Sequence, residues 1–158
     1  MIFITVGTQK FQFNRLLKEM DELCSANIIQ EEIIAQVGYS TYQPTNFKTY
    51  KLLQPENMNK YVENASVLIT HGGTSSIFNA LKKGKKVIVV PRLSQYDEHV
   101  DDHQIEICEV LDQKGYVSLV WDIKELKKAI KEIHSKVFNT YNFSQDELVN
   151  DIIQFINK

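Results

Sequence analysis

Cysteine is scarce in this chain of 158 residues: only Cys24 and Cys108 are present, and their separation matches no metal-type spacing. So low a count argues against a disulfide-stapled scaffold, and a reduced, cytosolic protein is expected. Charge of one sign is lacking too. Lys and Arg total 18 against 20 Asp and Glu, a net charge of −2, whereas a general nucleic-acid footprint needs a strongly basic domain. No nucleic-acid partner is therefore expected. No stretch approaches the ~18 apolar residues of a membrane span. The apolar run at residues 2–6 stops at Gly7, too short and without the cationic start of a signal peptide. The expectation is a soluble protein that reaches a membrane only through something else. Repeats, low-complexity tracts and Gly/Ser linkers are missing as well. With 43% hydrophobic and 24% charged residues, the composition suits one domain over residues 1–158 that buries its own core.

What is there is an alternation of apolar runs and helical stripes. Strands are expected at 2–6, 33–37, 47–53, 67–70, 86–90 and 117–120. Between them, Phe13, Leu16, Leu17, Met20 and Leu23 recur at helical spacing, as do Ile77, Ala80 and Leu81, and then Ile105, Cys108 and Leu111. Further helices are expected at 57–64 and 123–133, and Gly84 sits where a helix C-terminus needs a left-handed residue. A last helix over 144–157 opens with a Ser144/Glu147 capping box. Strands apolar on both faces, each followed by a helix, predict an α/β fold: a single Rossmann-like, doubly wound parallel sheet.

In such sheets ligands sit beyond the carboxyl ends of the strands, where the strand order reverses. For an order 3-2-1-4-5-6, the loops after strands one and four converge there. These loops are Gly7-Thr8-Gln9 and His71-Gly72-Gly73-Thr74-Ser75-Ser76. The second has the chemistry of a phosphate cradle, with glycines for close backbone approach and hydroxyls at a helix start whose N–H groups attract an anion. The alternative is an ordinary helix cap. No Walker lysine and no Gly-x-Gly-x-x-Gly accompany it, so neither a P-loop ATPase nor a dinucleotide site is supported.

The densest polar cluster is 98–104. His99 and His103 are four apart and could share a helix face, and with Glu98 or Asp102 could hold a metal, but no His-Glu-x-x-His motif supports this. Helix-start stabilisation and hydrogen bonding to sugar hydroxyls are the other readings of this cluster. Lys82, Lys83, Lys85 and Lys86 around Gly84 read as a solvated helix end at the edge opposite the crevice, with a membrane-surface patch as the alternative.

The stretches "IFITVGTQ", "MNKYVENASVLITHGGTSSIFNALKKGKKVIVVPR" and "DEHVDDHQIEICEVL" resemble the C-terminal domain of family 28 glycosyltransferases. The likeness spans about residues 1–135 and is greatest to half-length members: the catalytic subunit of the dolichol-linked UDP-N-acetylglucosamine transferase, and split bacterial capsule and exopolysaccharide enzymes. It implies half of a GT-B fold, with this chain holding the nucleotide sugar and a separate membrane-associated subunit holding the acceptor. It also implies that no bound metal is needed. By matching positions, Gly7, Thr8, Gln9, Gly72, Gly73, Thr74, Ser75 and Ser76 face the donor diphosphate. His71, Asn79, Glu98, His103 and Gln104 are assigned to the donor sugar and ribose, and Met58 to the nucleobase region. Asn79 departs from the family's usual Glu, which weakens the ribose contact.

The resulting expectation is the donor-binding subunit of an inverting transferase, cytoplasmic at the inner face of the membrane. It moves a hexose, galactose as the first choice, from a UDP-sugar to a lipid-linked saccharide in bacterial polysaccharide assembly, with the catalytic base on the partner. The alternatives are a non-catalytic activator subunit and a metal-dependent hydrolase built on the 98–103 cluster. The last helix is expected either to dock the partner or to cap this domain's own core.

Overall fold

The computed structural model describes residues 1–143. The expected last helix at 144–157 lies outside the described residues. Six strands form one sheet in the order β3-β2-β1-β4-β5-β6, and every neighbouring pair is parallel. They are β1 (Ile2–Thr5), β2 (Ile33–Gln36), β3 (Lys48–Tyr50), β4 (Val67–Thr70), β5 (Lys86–Val89) and β6 (Ser118–Leu119). The helices between them are α1 (Asn14–Ser25), α2 (Pro55–Asn64), α3 (Thr74–Lys82), α4 (His103–Gln113) and α5 (Leu126–Glu132). The doubly wound expectation holds, and the order reverses between β1 and β4.

The continuous apolar runs split by strand periodicity. Ile2, Ile4 and Val6 join Ile69, Ile88 and the α1 and α5 residues Leu16, Leu17, Met20 and Leu126 in a core on one face. Phe3, Leu68, Val87 and Val89 join Val62, Ile77, Ala80, Cys108 and Leu111 from α2, α3 and α4 on the other. Burial on both faces is what made these strands read as apolar without alternation. Cys108 is fully buried, while Cys24 is only half-buried at the margin of the first core.

Several boundaries moved. The third strand pairs over three residues only, since beyond Tyr50 the sheet gives way to single contacts such as Gly38 N–H to Lys51 O. The segment 123–133 opens as a 3₁₀ turn capped by the Asp122 side chain before α5 begins. The lysine cluster is not freely solvated throughout. Lys83 pairs with Glu63, Lys85 donates to the Glu63 carbonyl, and Lys86 donates to the carbonyls of Ile133, His134 and Lys136. Gly84 does take the left-handed conformation, φ +66°, past the α3 C-terminus.

The turn-rich segment after β2 is pinned to α1. Asp21 is 4% exposed. Its carboxylate accepts from the Tyr42 hydroxyl (2.8 Å), the backbone N–H groups of Thr45 and Asn46 (3.1 and 2.9 Å) and Asn46 Nδ2 (2.9 Å). Burial alone would push the carboxyl up, but the hydrogen bonds from Asn46, Tyr42 and Thr45 outweigh it and hold the pKa below the usual range. Asn14 adds two bonds, accepting from Thr41 and Tyr42 N–H. The clamp sets the loop beside β1, where Gly38 packs against the Gly7 carbonyl. Asp21→Ala is expected to cost about 3 kcal/mol, because several donors lose their partner at once, and Tyr42→Phe about 1 kcal/mol. Urea denaturation of both variants checks this; equal losses would mean that the loop is not hung on Asp21.

Candidate functional site

Thr5 and Thr70 are register partners at the carboxyl ends of β1 and β4. The chain turns sharply after each. Gly7 lies at φ +79° and Gly72 at φ +93°, conformations that strongly favour glycine. Between the two turns sits the His71 ring, 8% exposed. A Cβ added at Gly7 would fall 2.6 Å from its Nε2, and one added at Gly73 2.5 Å from the same atom. The two glycine loops therefore close on one imidazole, and both positions are glycine because the ring occupies the space a side chain would need. The convergence expected from strand order is physical contact.

The ring has a defined tautomer. Nδ1 lies 3.3 Å from the Thr5 carbonyl oxygen, which only accepts, and 3.3 Å from Thr70 Oγ1. Nδ1 thus carries the hydrogen and Nε2 keeps a lone pair between the glycines. Burial, reinforced by the neighbouring Arg92 cation and opposed by the Thr5 hydrogen bond, lowers the His71 pKa to about 4. The imidazole is neutral at physiological pH, so His71 shapes the crevice as a neutral wedge.

Behind the ring, α3 begins at Thr74 with Gly73 as its N-cap, which has no side chain to close the helix end. The first intrahelical bond is Ile77 N–H to Gly73 O (3.1 Å), so the amides of Thr74, Ser75 and Ser76 stand ahead of the helical ladder. Ser75 is exposed, and Thr74 and Ser76 are half-buried. Thr8 and Gln9 on the first loop are exposed. Open amides, hydroxyls and a helix dipole form a ready anion site.

A third loop, 90–102 between β5 and α4, closes the same end of the sheet. It interlocks with the β1–α1 loop at several points. His99 Nε2 meets Gln9 Oε1 at 3.0 Å, and the His99 ring packs 5.4 Å from that of Phe11. Gln12 donates to the Tyr96 carbonyl (2.9 Å). Arg15 grips the Glu98 carboxylate through Nε (3.0 Å) and Nη2 (2.9 Å) and also donates to the Pro91 carbonyl.

This arrangement corrects one expectation and removes one alternative. Glu98 does not face a sugar: its side chain is 1% exposed, and its oxygens are bound by Arg15 and the Leu93 N–H. Its place is inside the wall, holding the third loop to α1. His99 does not share a helix face with His103, because α4 begins only at His103 and His99 lies in the loop before it. Among the described residues no group of three His, Cys, Asp or Glu side chains is placed to hold a metal.

The structure places the other assigned residues by element. His103 and Gln104 open α4, the helix that follows the third loop. Asn79 Nδ2 donates to Asn59 Oδ1 (3.2 Å), tying α3 to α2 beside Met58, which is half-buried against the second core. The Asn79 carbonyl remains as an acceptor. Sequence reasoning missed Arg15 and Arg92. The one available signal was a cation directly after Pro91, at the carboxyl end of a buried strand.

Residues 1–154 match the glycosyltransferase family 28 C-terminal domain. The chain belongs to this family. It is 27% identical over 150 residues to the UDP-N-acetylglucosamine transferase subunit ALG13 of Candida albicans, covering 92% of this chain and 47% of that protein. It thus spans about half of the length of that relative. Among solved structures, the solution structure of ALG13 superposes with a TM-score of 0.66 at 16% identity, covering 99% of this chain and 96% of that one. The kitacinnamycin glycotransferase gives 0.63 at 19% identity, covering 85% of this chain and 34% of that one. At these identities the structures show a shared fold.

Two outcomes follow for this family 28 domain. Gly7→Ala and Gly73→Ala each drive a methyl into the buried His71 ring and should destabilise the fold by about 1–3 kcal/mol; a thermal midpoint unchanged in both would refute the wedge. The second concerns pH. Folded His71 titrates near 4, against 6.5 for an unperturbed imidazole, so between these values the unfolded chain binds more protons. Stability should fall as pH drops through that window, with a contribution of up to about 1.4 kcal/mol per pH unit. His71→Gln should remove this component in denaturation curves taken at pH 5.0, 6.0 and 7.5. An unchanged slope would place the titration elsewhere.

Proposed function

We propose that this chain is the donor-binding subunit of an inverting glycosyltransferase that moves a hexose from a UDP-sugar to a lipid-linked saccharide. The observation carrying this reading is the contact of both glycine loops on His71, which leaves the amino end of α3 open at the point where the strand order reverses. A diphosphate seated there meets N–H groups and a helix dipole fixed before the reaction begins. As an acceptor oxygen bonds to the anomeric carbon from the opposite face, the bond to UDP breaks and negative charge grows on the departing diphosphate. Aligned dipoles stabilise that charge without reorganising. The base that removes the acceptor's proton belongs, on this reading, to a second chain, membrane-associated, that carries the acceptor. The word "subunit" in the name of the ALG13 relatives supports a two-chain enzyme. The chemistry needs no metal, and the protein works at the cytoplasmic face of a membrane through its partner.

The donor sugar is either galactose, from the resemblance to capsule enzymes and with bacterial surface polysaccharide as product, or the N-acetylglucosamine named for the ALG13 relatives. A non-catalytic activator is the second reading, favoured by the amide at Asn79, whose Nδ2 already bonds Asn59.

Calorimetric titration separates the readings. The donor subunit binds UDP saturably, whereas a pure activator does not. Co-expression with its partner and a screen of labelled UDP-sugars on a lipid-linked acceptor should then give transfer that withstands a chelator. Strong turnover by the single chain on a soluble acceptor would refute the need for a partner, and loss of transfer with a chelator would refute the metal-free route.

A further inference from the structure

Among the described residues, one buried cation in the crevice wall lacks full pairing. Arg92 follows β5, is 4% exposed, and its Nε and Nη1 have no hydrogen-bond partner among the described residues. Nη2 donates to the carbonyls of Val6 and Phe11, the two ends of the first glycine loop. Its backbone N–H donates to the His71 carbonyl (3.3 Å), the start of the second. The side chain therefore lies where the two loops meet, with the Phe13 ring 5.6 Å away.

The charges around it do not cancel. Two guanidinium groups, Arg15 and Arg92, share one buried carboxylate, Glu98. Arg15 takes both of its oxygens, and the Leu93 N–H takes a second bond to one of them. Arg92 is left with neutral carbonyls and a ring face. Burial lowers its pKa, opposed by Glu98, to about 10, which still leaves it protonated at neutral pH. A buried charge that is only partly compensated is costly in a folded protein, and two buried donors without partners add to that cost. Such a group persists most readily when a counter-ion arrives with the ligand.

We propose that Arg92 is the fixed positive charge of the donor crevice, and that its counter-ion is the diphosphate held by the two glycine loops. This rests on the donor reading above. From beneath the loops it acts in a medium of low dielectric, where a charge is screened less than at the surface. It also holds the first loop through the Val6 and Phe11 carbonyls. The recognised chemistry is a pyrophosphate, so the nucleoside part of the donor should be indifferent to this residue.

The test compares UDP, uridine and inorganic pyrophosphate as ligands of the protein. Arg92→Met should weaken UDP at least about tenfold and leave uridine unchanged, with Arg92→Lys between Met and wild type. Equal losses for uridine and UDP, or no loss for UDP, overturn the proposal. If the Met variant does not fold, the wild-type protein with ¹⁵N-labelled arginine still decides. The Arg92 Nε–H resonance, identified by its absence in Arg92→Lys, should shift with UDP and with pyrophosphate and stay in place with uridine. A resonance indifferent to pyrophosphate overturns the proposal. A wild-type protein that binds no UDP would instead bring down the donor reading itself.

Discussion

An imidazole wedged between two glycines is the constraint on which this crevice depends. His71 enters the junction of β1 and β4 carrying one hydrogen bond to the Thr5 carbonyl, and its ring fills the volume that side chains at Gly7 and Gly73 would claim. Close packing of this kind is discrete: a ring either fits between two backbones or forces them apart. Because the ring fits, loops separated by more than sixty residues of sequence are held in one position relative to each other, and the amino end of α3 opens into their shared space. Removing the proton from Nε2 by burial also keeps the wedge neutral, so that the wall's charge comes from elsewhere.

That charge comes from the third loop. The Arg15–Glu98 pair locks this loop to α1 with bidentate geometry in a nearly dry environment, where a broken pair leaves an unpaired buried ion. Glu98 thereby serves the crevice at one remove, by fixing where Arg92 and His99 stand. The same loop gives His99 to Gln9 and Tyr96 to Gln12, so movement of the first glycine loop must disturb the third. The crevice wall behaves as one network, consistent with a site whose dipoles must be in place before charge develops.

The parallel sheet was legible because it follows from local patterns, whereas its strand order was only assumed and comes from the structure. Apolar runs such as 67–70 and 86–89, each followed by a helical stripe, leave little choice but a parallel sheet covered on both faces. Gly7, Gly72 and Gly73 were legible as turn residues beside a helix start. The roles within the cluster 98–104 were not. Acidic and imidazole side chains spaced for a metal or a sugar look alike in sequence, and a buried carboxylate is recognisable only once its arginine is known. Arg15 lies 83 residues before Glu98, and nothing local announces that pairing.

The sequence by itself determined the α/β alternation and the two glycine-bearing loops, since each rests on periodicity and on backbone freedom read over a few residues; where the strand order reverses was a conditional expectation that the structure met. Only the tertiary structure decided that Gly7 and Gly73 are glycine for the sake of one histidine, that Glu98 is buried in an ion pair, and that Arg92 is buried beneath the loops with two of its donors unpartnered among the described residues. The physical reason is that burial, dielectric and steric exclusion are properties of neighbourhoods. Here the neighbours come from strands and loops far apart in the chain.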